Sequence, residues 1–292
     1  MRWYADNSEL NGIRGANIPD ILLFGGIIVT KASSIQLKES IEKVKGKYGF
    51  SRAPIKWNFK DLKRTYSKLG QESLYQSMLN SSKLWRSEIA EAVRDIDFKI
   101  IIACIESHSS EKKVIKGVKE NLVGFVFSNA LMRVALYAQE ASASEVQVIL
   151  DWPDGGNSNP FDIEYASAYN FGSTRGEQVK YHSGALKDLR FMDSPVYTNM
   201  LHSTLLQFSD LILGATREVI ECAVGKKKSG FGLDFSKLLS NKFRGSPDDI
   251  YGRGIVVASG NTQFKEAIKS FIDSELGCSN DIEVPINDSL LF

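Results

Sequence analysis

The sequence predicts a mixed α/β fold: one sheet of five to six strands with helices on its faces, followed by a C-terminal extension. Three observations predict it. Runs rich in β-branched residues alternate with helical patterns along most of the chain. The stretch Leu122 to Ala141 is apolar nearly all round, as a helix packed on a sheet would be. The segment Asn11-Gly12-Ile13-Arg14-Gly15-Ala16-Asn17 is turn-rich and fits a long hairpin between the first two strands.

Alternation and β-branched content place strands at Arg2 to Asp6, Ile21 to Thr30, Ile55 to Phe59, Phe98 to Ile105, Val146 to Asp151 and Leu189 to Met192. Ser33-Ser34 opens a helix with apolar positions at Ile35, Ile41 and Val44. A second helix covers Gln71 to Val93 through Leu74, Met78, Leu84, Ile89 and Val93, Leu122 to Ala141 is a third, and Asn199 to Val224 is a fourth. Residues 1–225 are therefore expected to form the body and 226–292 an extension packed on it. The extension is rich in glycine between Gly225 and Gly260, with a short helical run at Phe235 to Leu239. It ends in an amphipathic helix, Thr262 to Leu276, and an extended tail. The tail's Leu290-Leu291-Phe292 would dock on its own body or on a second subunit of a homodimer.

Composition narrows the class. Of 292 residues, 43% are hydrophobic and 24% charged, which is the mix of an ordinary globular protein. Lys plus Arg number 36 against 35 Asp plus Glu, so any phosphate affinity must come from a local patch rather than from net charge. Lys112, Lys113, Lys116 and Lys119 form one basic stretch and Lys226-Lys227-Lys228 another. Either faces phosphate or is simply a solvated face. Cys104, Cys222 and Cys278 have no paired spacing, the N-terminus reaches Asp6 before any apolar run, and the apolar stretch Ile21 to Val29 falls short of the roughly 20 residues that span a bilayer. A cytoplasmic protein without a membrane span is expected. His108, His182 and His202 lack zinc-site spacing. Ala223 to Ser229 imitates a phosphate loop but has Ile220 where glycine is required, and no G-x-S-x-G elbow occurs.

Three aspartates stand out: Asp6 at the end of the first expected strand, Asp151 at the end of the strand Val146 to Leu150, and Asp210 within the fourth helix. Gln207, Asp210, Gly214 and Arg217 recur at spacings of three, four and three and share one helix face, which borders a polar cleft or solvent. Carboxylates are the natural ligands of Mg²⁺ and Mn²⁺, and a carboxylate-held metal pair is a known solution to phosphodiester hydrolysis. Asp6 needs a neighbouring strand that also ends in an acid. That strand is either Val146 to Asp151 or Phe98 to Ile105, followed by Glu106. The first is preferred, because Asp151-Trp152-Pro153-Asp154-Gly155-Gly156 opens the chain at the sheet edge. It offers Asp154 as a second acid or as an ordinary turn residue.

Asp6-Asn7-Ser8, Leu22-Leu23-Phe24-Gly25-Gly26-Ile27-Ile28-Val29, Ile55-Lys56-Trp57 and Leu206-Gln207-Phe208-Ser209-Asp210-Leu211-Ile212 together resemble, in order and over roughly residues 1–225, the domain-of-unknown-function family 3800. The resemblance implies an RNase H-like fold and a divalent-metal-dependent nuclease. Asp6, Asp151 and Asp210 would bind Mg²⁺ or Mn²⁺, Lys56 would neutralise a phosphate oxygen, and nucleic acid would be the partner. It also implies a setting in antiphage defence or a mobile element, with a defence-system partner. The chain departs from the family's pattern at Asn7 and Pro54, where acids are usual, and at Glu9, where glycine is usual. The acids missing at Asn7 and Pro54, for which only Glu9 stands near enough in sequence to compensate, support an alternative: an RNase H-like binding or scaffold protein whose catalysis has lapsed.

Overall fold

Strands that are buried without alternation at their centres form one mixed sheet covered by helices on both faces. The computed structural model describes residues 1–10, 20–49, 51–107, 116–153, 156–177 and 179–277. The strands are β1 (Arg2–Leu10), β2 (Asp20–Val29), β3 (Lys99–Ser107), β4 (Gln147–Asp151), β5 (Val196–Thr198) and β6 (Ile255–Ala258), in the order β5-β4-β1-β2-β3-β6. β1, β2 and β3 form an antiparallel meander, while β4 joins β1, β5 joins β4 and β6 joins β3 in parallel. β2 lies centrally and is buried along its whole length, as its continuous apolar run requires.

The helices are α1 (Lys31–Tyr48), α2 (Lys63–Lys68), α3 (Glu72–Asn80), α4 (Ser82–Val93), α5 (Lys116–Glu140), α6 (Asn159–Phe171), α7 (Thr204–Ala223), α8 (Phe231–Leu238), the kinked turn α9 (Ile250–Arg253) and α10 (Thr262–Glu275). One face of the sheet is covered by α1, α4, α7, α8 and α10, and the other by α5 and α6. By length and composition α5 is apolar enough to cross a membrane. In the fold, Phe127, Ala130, Leu131 and Val134 pack it onto the sheet.

α7 is the central helix of its layer, and it approaches the sheet closely. Gly26 of β2 makes that possible. A Cβ there would lie 2.1 Å from the Tyr4 carbonyl oxygen and 2.9 Å from Ser209 Oγ, and its φ of +159° disfavours other residues. Ser209, fully buried, uses the space to donate its hydroxyl to that carbonyl at 2.8 Å. Thr30 caps α1 and Ser203 caps α7 through their hydroxyls, satisfying backbone N–H groups that a helix start leaves open.

Several expectations need correction. Residues 55–59 are not a strand: the segment leaves the sheet layer as an irregular loop, followed by a 3₁₀ turn at Phe59–Leu62, because Ile55 and Trp57 are buried by helices rather than by strand partners. Leu189 to Met192 is not one either. Leu186–Leu189 is a 3₁₀ turn, Phe191 makes one isolated bridge to Val146, and the edge strand is Val196–Thr198. The helix expected over 71–93 breaks at Ser81 into α3 and α4, so Ile89 and Val93 are buried while Leu84 is 57% exposed. β1 does not stop at Asp6 but continues to Leu10. Two elements lacked a usable signal. α6 begins after a turn-like Asn-Ser-Asn-Pro run in which Pro160 serves as a first-turn residue. β6 is four residues long within the glycine-rich segment. The expected hairpin turn at 11–17, the side chains of Lys112, Lys113, Lys116 and Lys119, and His108, Asp154, Cys278 and the tail lie outside the described residues.

Candidate functional site

Strand parity sets the site. Tyr4 and Ile149 belong to the core beneath α7, whereas Trp3, Ala5, Val148 and Leu150 belong to the core beneath α5 and α6. Two residues on from Tyr4 and Ile149, Asp6 and Asp151 must therefore face α7 as well. In the parallel β1–β4 pair Ala5 is opposite Leu150, so the two aspartates follow one step beyond, side by side. β4 then ends while β1 runs on for four residues. The uncovered flank of β1 becomes a pocket of about 310 Å³, lined by Asp6, Ser8, Glu9, Lys56, Asp151 and Asp210 among others.

Asp210 reaches this pocket from α7. Its Oδ2 accepts the Trp57 backbone N–H at 2.6 Å, so the carboxylate on the helix also fixes the loop that carries Lys56. That loop is clamped from behind. Gly214, one turn along α7, leaves the seat that Trp57 fills, since a Cβ there would lie 2.0 Å from the ring. Phe231 stacks on Trp57 at 5.9 Å and Phe235 meets it edge-on. The Arg86 guanidinium lies 4.8 Å from the ring centroid and donates to the Trp57 carbonyl. Of the face Gln207–Asp210–Gly214–Arg217, Asp210 lines the pocket and Arg217 contacts the lining residue Ser8 at Oγ, 3.4 Å away, whereas Gln207 is buried and Gly214 lies under the Trp57 ring.

Asp151 is held from the other side. Its Oδ1 accepts the Met200 N–H at 2.7 Å. The Met200 turn is fastened by the buried Gln207, whose amide donates to the Met200 and Leu201 carbonyls, both at 3.1 Å. The Gln207 carbonyl oxygen in turn accepts from Lys45 Nζ at 3.1 Å, and Lys45 pairs with Glu42 at 2.8 Å. Lys45 is 1% exposed, so this chain of contacts is part of the core.

The electrostatics follow from packing acids together. Burial pushes the Asp6 carboxyl up to about 8, and the Asp210 and Asp151 charges push it the same way. The Asn7 N–H, donated at 2.7 Å, and Lys56 pull against them. Burial raises the Asp210 carboxyl too, opposed by the Trp57 N–H and the charges of Lys56, Arg217 and Arg86.

The four residues expected to form a site, Asp6, Lys56, Asp151 and Asp210, line this single pocket. Glu106 does not join them: β2 separates its strand from β1, and it accepts the Ser259 hydroxyl at 2.6 Å. Glu9 lines the pocket, whereas Pro54 is buried away from it with its carbonyl accepting the Tyr66 hydroxyl. Asn7 is exposed at the rim. His182 and His202 are exposed and contribute nothing to the pocket. Lys227 lies 2.5 Å from Glu221 and 3.6 Å from Glu218, so that basic run is answered by the chain's own acids. Met200, Arg86 and Trp57 were not foreseen as supports. Their contacts are backbone and stacking interactions that no spacing encodes, although Gly214 on the polar face of α7 marks where something bulky sits.

The donor set fits a hard divalent cation by chemistry, being all carboxylate oxygen. Among the described residues, however, no group of three or more Asp, Glu, His or Cys side chains is placed to hold a metal ion as it stands. No family model, characterised protein or solved structure significantly matches this chain.

Proposed function

We propose that the chain is a divalent-metal-dependent nuclease of RNase H-like architecture, akin to the domain-of-unknown-function family 3800. The observation that carries the reading is the convergence of Asp6, Asp151 and Asp210, from two adjacent parallel strands and a crossing helix, on one pocket that also receives Lys56. In this reading the three aspartates hold Mg²⁺ or Mn²⁺, which when bound would supply the charge and the activated water for phosphodiester hydrolysis. The chain's own groups do the rest. The Met200 and Trp57 N–H groups aim Asp151 and Asp210, Asp6 stands beside them as the third carboxyl, and Lys56 meets a phosphate oxygen.

A second reading, a binding protein that has lost catalysis, draws on exposed Asn7 and buried Pro54 in places where the resembled family carries acids, and on the absence of a ready-made ligand cluster among the described residues. One experiment separates the two. Labelled DNA and RNA are incubated with the protein and Mn²⁺, with EDTA as control and with Asp151→Asn alongside. The nuclease reading expects metal-dependent cleavage that falls at least about 100-fold in the variant while its circular dichroism is unchanged. Absence of cleavage, or equal cleavage by the variant, would leave the binding reading.

A further inference from the structure

Trp152 follows Asp151 at the point where β4 ends. It is 54% exposed, whereas Trp3, Trp57 and Trp85 are at most 9% exposed. An indole in water with no core to fill is a large apolar surface left open, and this one is held in place. Tyr197 meets it edge-on with ring centroids 6.0 Å apart and planes at 81°. The Tyr197 hydroxyl donates to Asp162 Oδ1 at 2.7 Å, and the other Asp162 oxygen accepts the Ser158 hydroxyl at 2.6 Å. The Trp152 backbone N–H bonds the Thr198 carbonyl at 3.0 Å. The ring is therefore fixed without being covered.

Its position matters as much as its exposure. Trp152 stands between the acid pocket and a second pocket of about 490 Å³, and Lys56, Asp151 and Pro153 also line both. The second pocket adds the polar groups of Asp61, Thr65 and Asn199. Interleaved with the lining residues Asp61, Leu62 and Thr65 are Lys60, Lys63, Arg64 and Lys68, all exposed. Lys60, Arg64 and Lys68 recur every four residues through the 3₁₀ turn and α2, and so share one side of that segment. A path thus runs from the carboxylates, past a flat aromatic ring, to the segment Lys60 to Lys68, which carries four exposed cations.

From this arrangement we infer that the two pockets form one track for single-stranded nucleic acid, with an unpaired base stacked on Trp152 beside the phosphate at the acid pocket. Aromatic stacking with a basic groove tracking the backbone is how proteins bind single strands without reading sequence. A paired base offers its faces to its neighbours in the duplex, so a stacking platform selects unpaired nucleotides. The 54% exposure of the indole is then what the ligand covers. The inference rests on reading the acid pocket as a phosphodiester site, and it specifies the substrate class of that site.

Binding can be tested apart from cleavage. Trp152 is the sole exposed tryptophan of the four in the chain, so quenching that Trp152→Ala abolishes reports on it. Fluorescein-labelled twelve-nucleotide oligo(dT) and oligo(U) and a blunt duplex of the same length are titrated in Ca²⁺ and again in EDTA, with affinity read from the anisotropy of the label in the parent and in every variant. The expected result is quenching by at least one single strand, binding at least about tenfold weaker for the duplex, and a loss of roughly tenfold or more in Trp152→Ala that Trp152→Phe largely restores. The two single strands distinguish DNA from RNA. Wild-type affinity in Trp152→Ala, tight binding without quenching, equal binding of the duplex, or no binding of either strand would overturn the inference. Quenching and tight binding retained in Asp6→Asn, without cleavage by any form of the protein in Mn²⁺, would uphold the stacking track while removing the nuclease reading.

Discussion

Asp6 carries the physical tension of the site. Its carboxyl is held near 8 by burial and two neighbouring acids, against an ordinary value near 4 in the unfolded chain. The protonated form is therefore favoured by folding. The stability this contributes is fully present below about pH 4 and is lost as pH rises through about 8. Asp6→Asn keeps the shape and removes the charge. Without added metal it is expected to be about 1–3 kcal/mol more stable than the parent above pH 8, with the difference vanishing towards pH 4. Denaturant unfolding at a series of pH values measures this. A variant no more stable than the parent at pH 9 would mean that Asp6 is not under repulsion.

At the scale of elements, the site depends on α7 and the loop it grips. Asp210 bonds the Trp57 backbone while Gly214 makes room for the Trp57 ring, so one helix positions both a carboxylate and, through the loop, Lys56. Gly214→Ala would place a methyl group within 2.4 Å of Trp57 Cβ, near the root of the side chain, where no rotamer change relieves it. The expected cost is about 1–3 kcal/mol of stability, together with a tenfold or greater loss of whatever cleavage the parent shows, read by thermal melting and the cleavage assay. Full activity in this variant would show that the placement of Lys56 is not needed. This element also shows what a sequence can convey. The spacing of Gln207, Asp210, Gly214 and Arg217 marked a single helix face, and it meets the cleft through Asp210 and through Arg217 at Ser8, while Gln207 is buried behind Met200 and Gly214 is covered by Trp57. The segment 55–59 was misleading. Its Ile-Lys-Trp-Asn-Phe alternation reads as a strand, but Trp57 and Phe59 are buried among helix side chains, and alternation does not reveal what lies opposite.

At the scale of the molecule, strand parity and order assemble the pocket. β1 to β4 were legible because each carries a buried run of apolar residues, from Trp3 to Ala5 in β1 and from Val148 to Leu150 in β4. The placement of Asp151 beside Asp6 followed from a choice of neighbour that the order β4-β1-β2-β3 bears out. The two edge strands were not legible: β5 has three residues and β6 four, too short for a pattern to rise above its surroundings. β6 also means that the segment after residue 225 supplies an edge of the sheet as well as helices packed on it. The shape of the pocket, formed because β1 outlasts β4, depends on where two strands stop, and strand ends are what sequence patterns fix least.

The most direct test of the whole account is a crystal of the protein soaked in Mn²⁺ at about pH 8, with anomalous scattering used to locate the ion. The account predicts a peak in the pocket between β1, β4 and α7, with oxygen atoms of Asp6, Asp151 and Asp210 about 2.0–2.3 Å away, lost in a soaked Asp6→Asn crystal. A fully soaked crystal with no peak there, or with manganese bound elsewhere while the three carboxylates hold no ion, would contradict it.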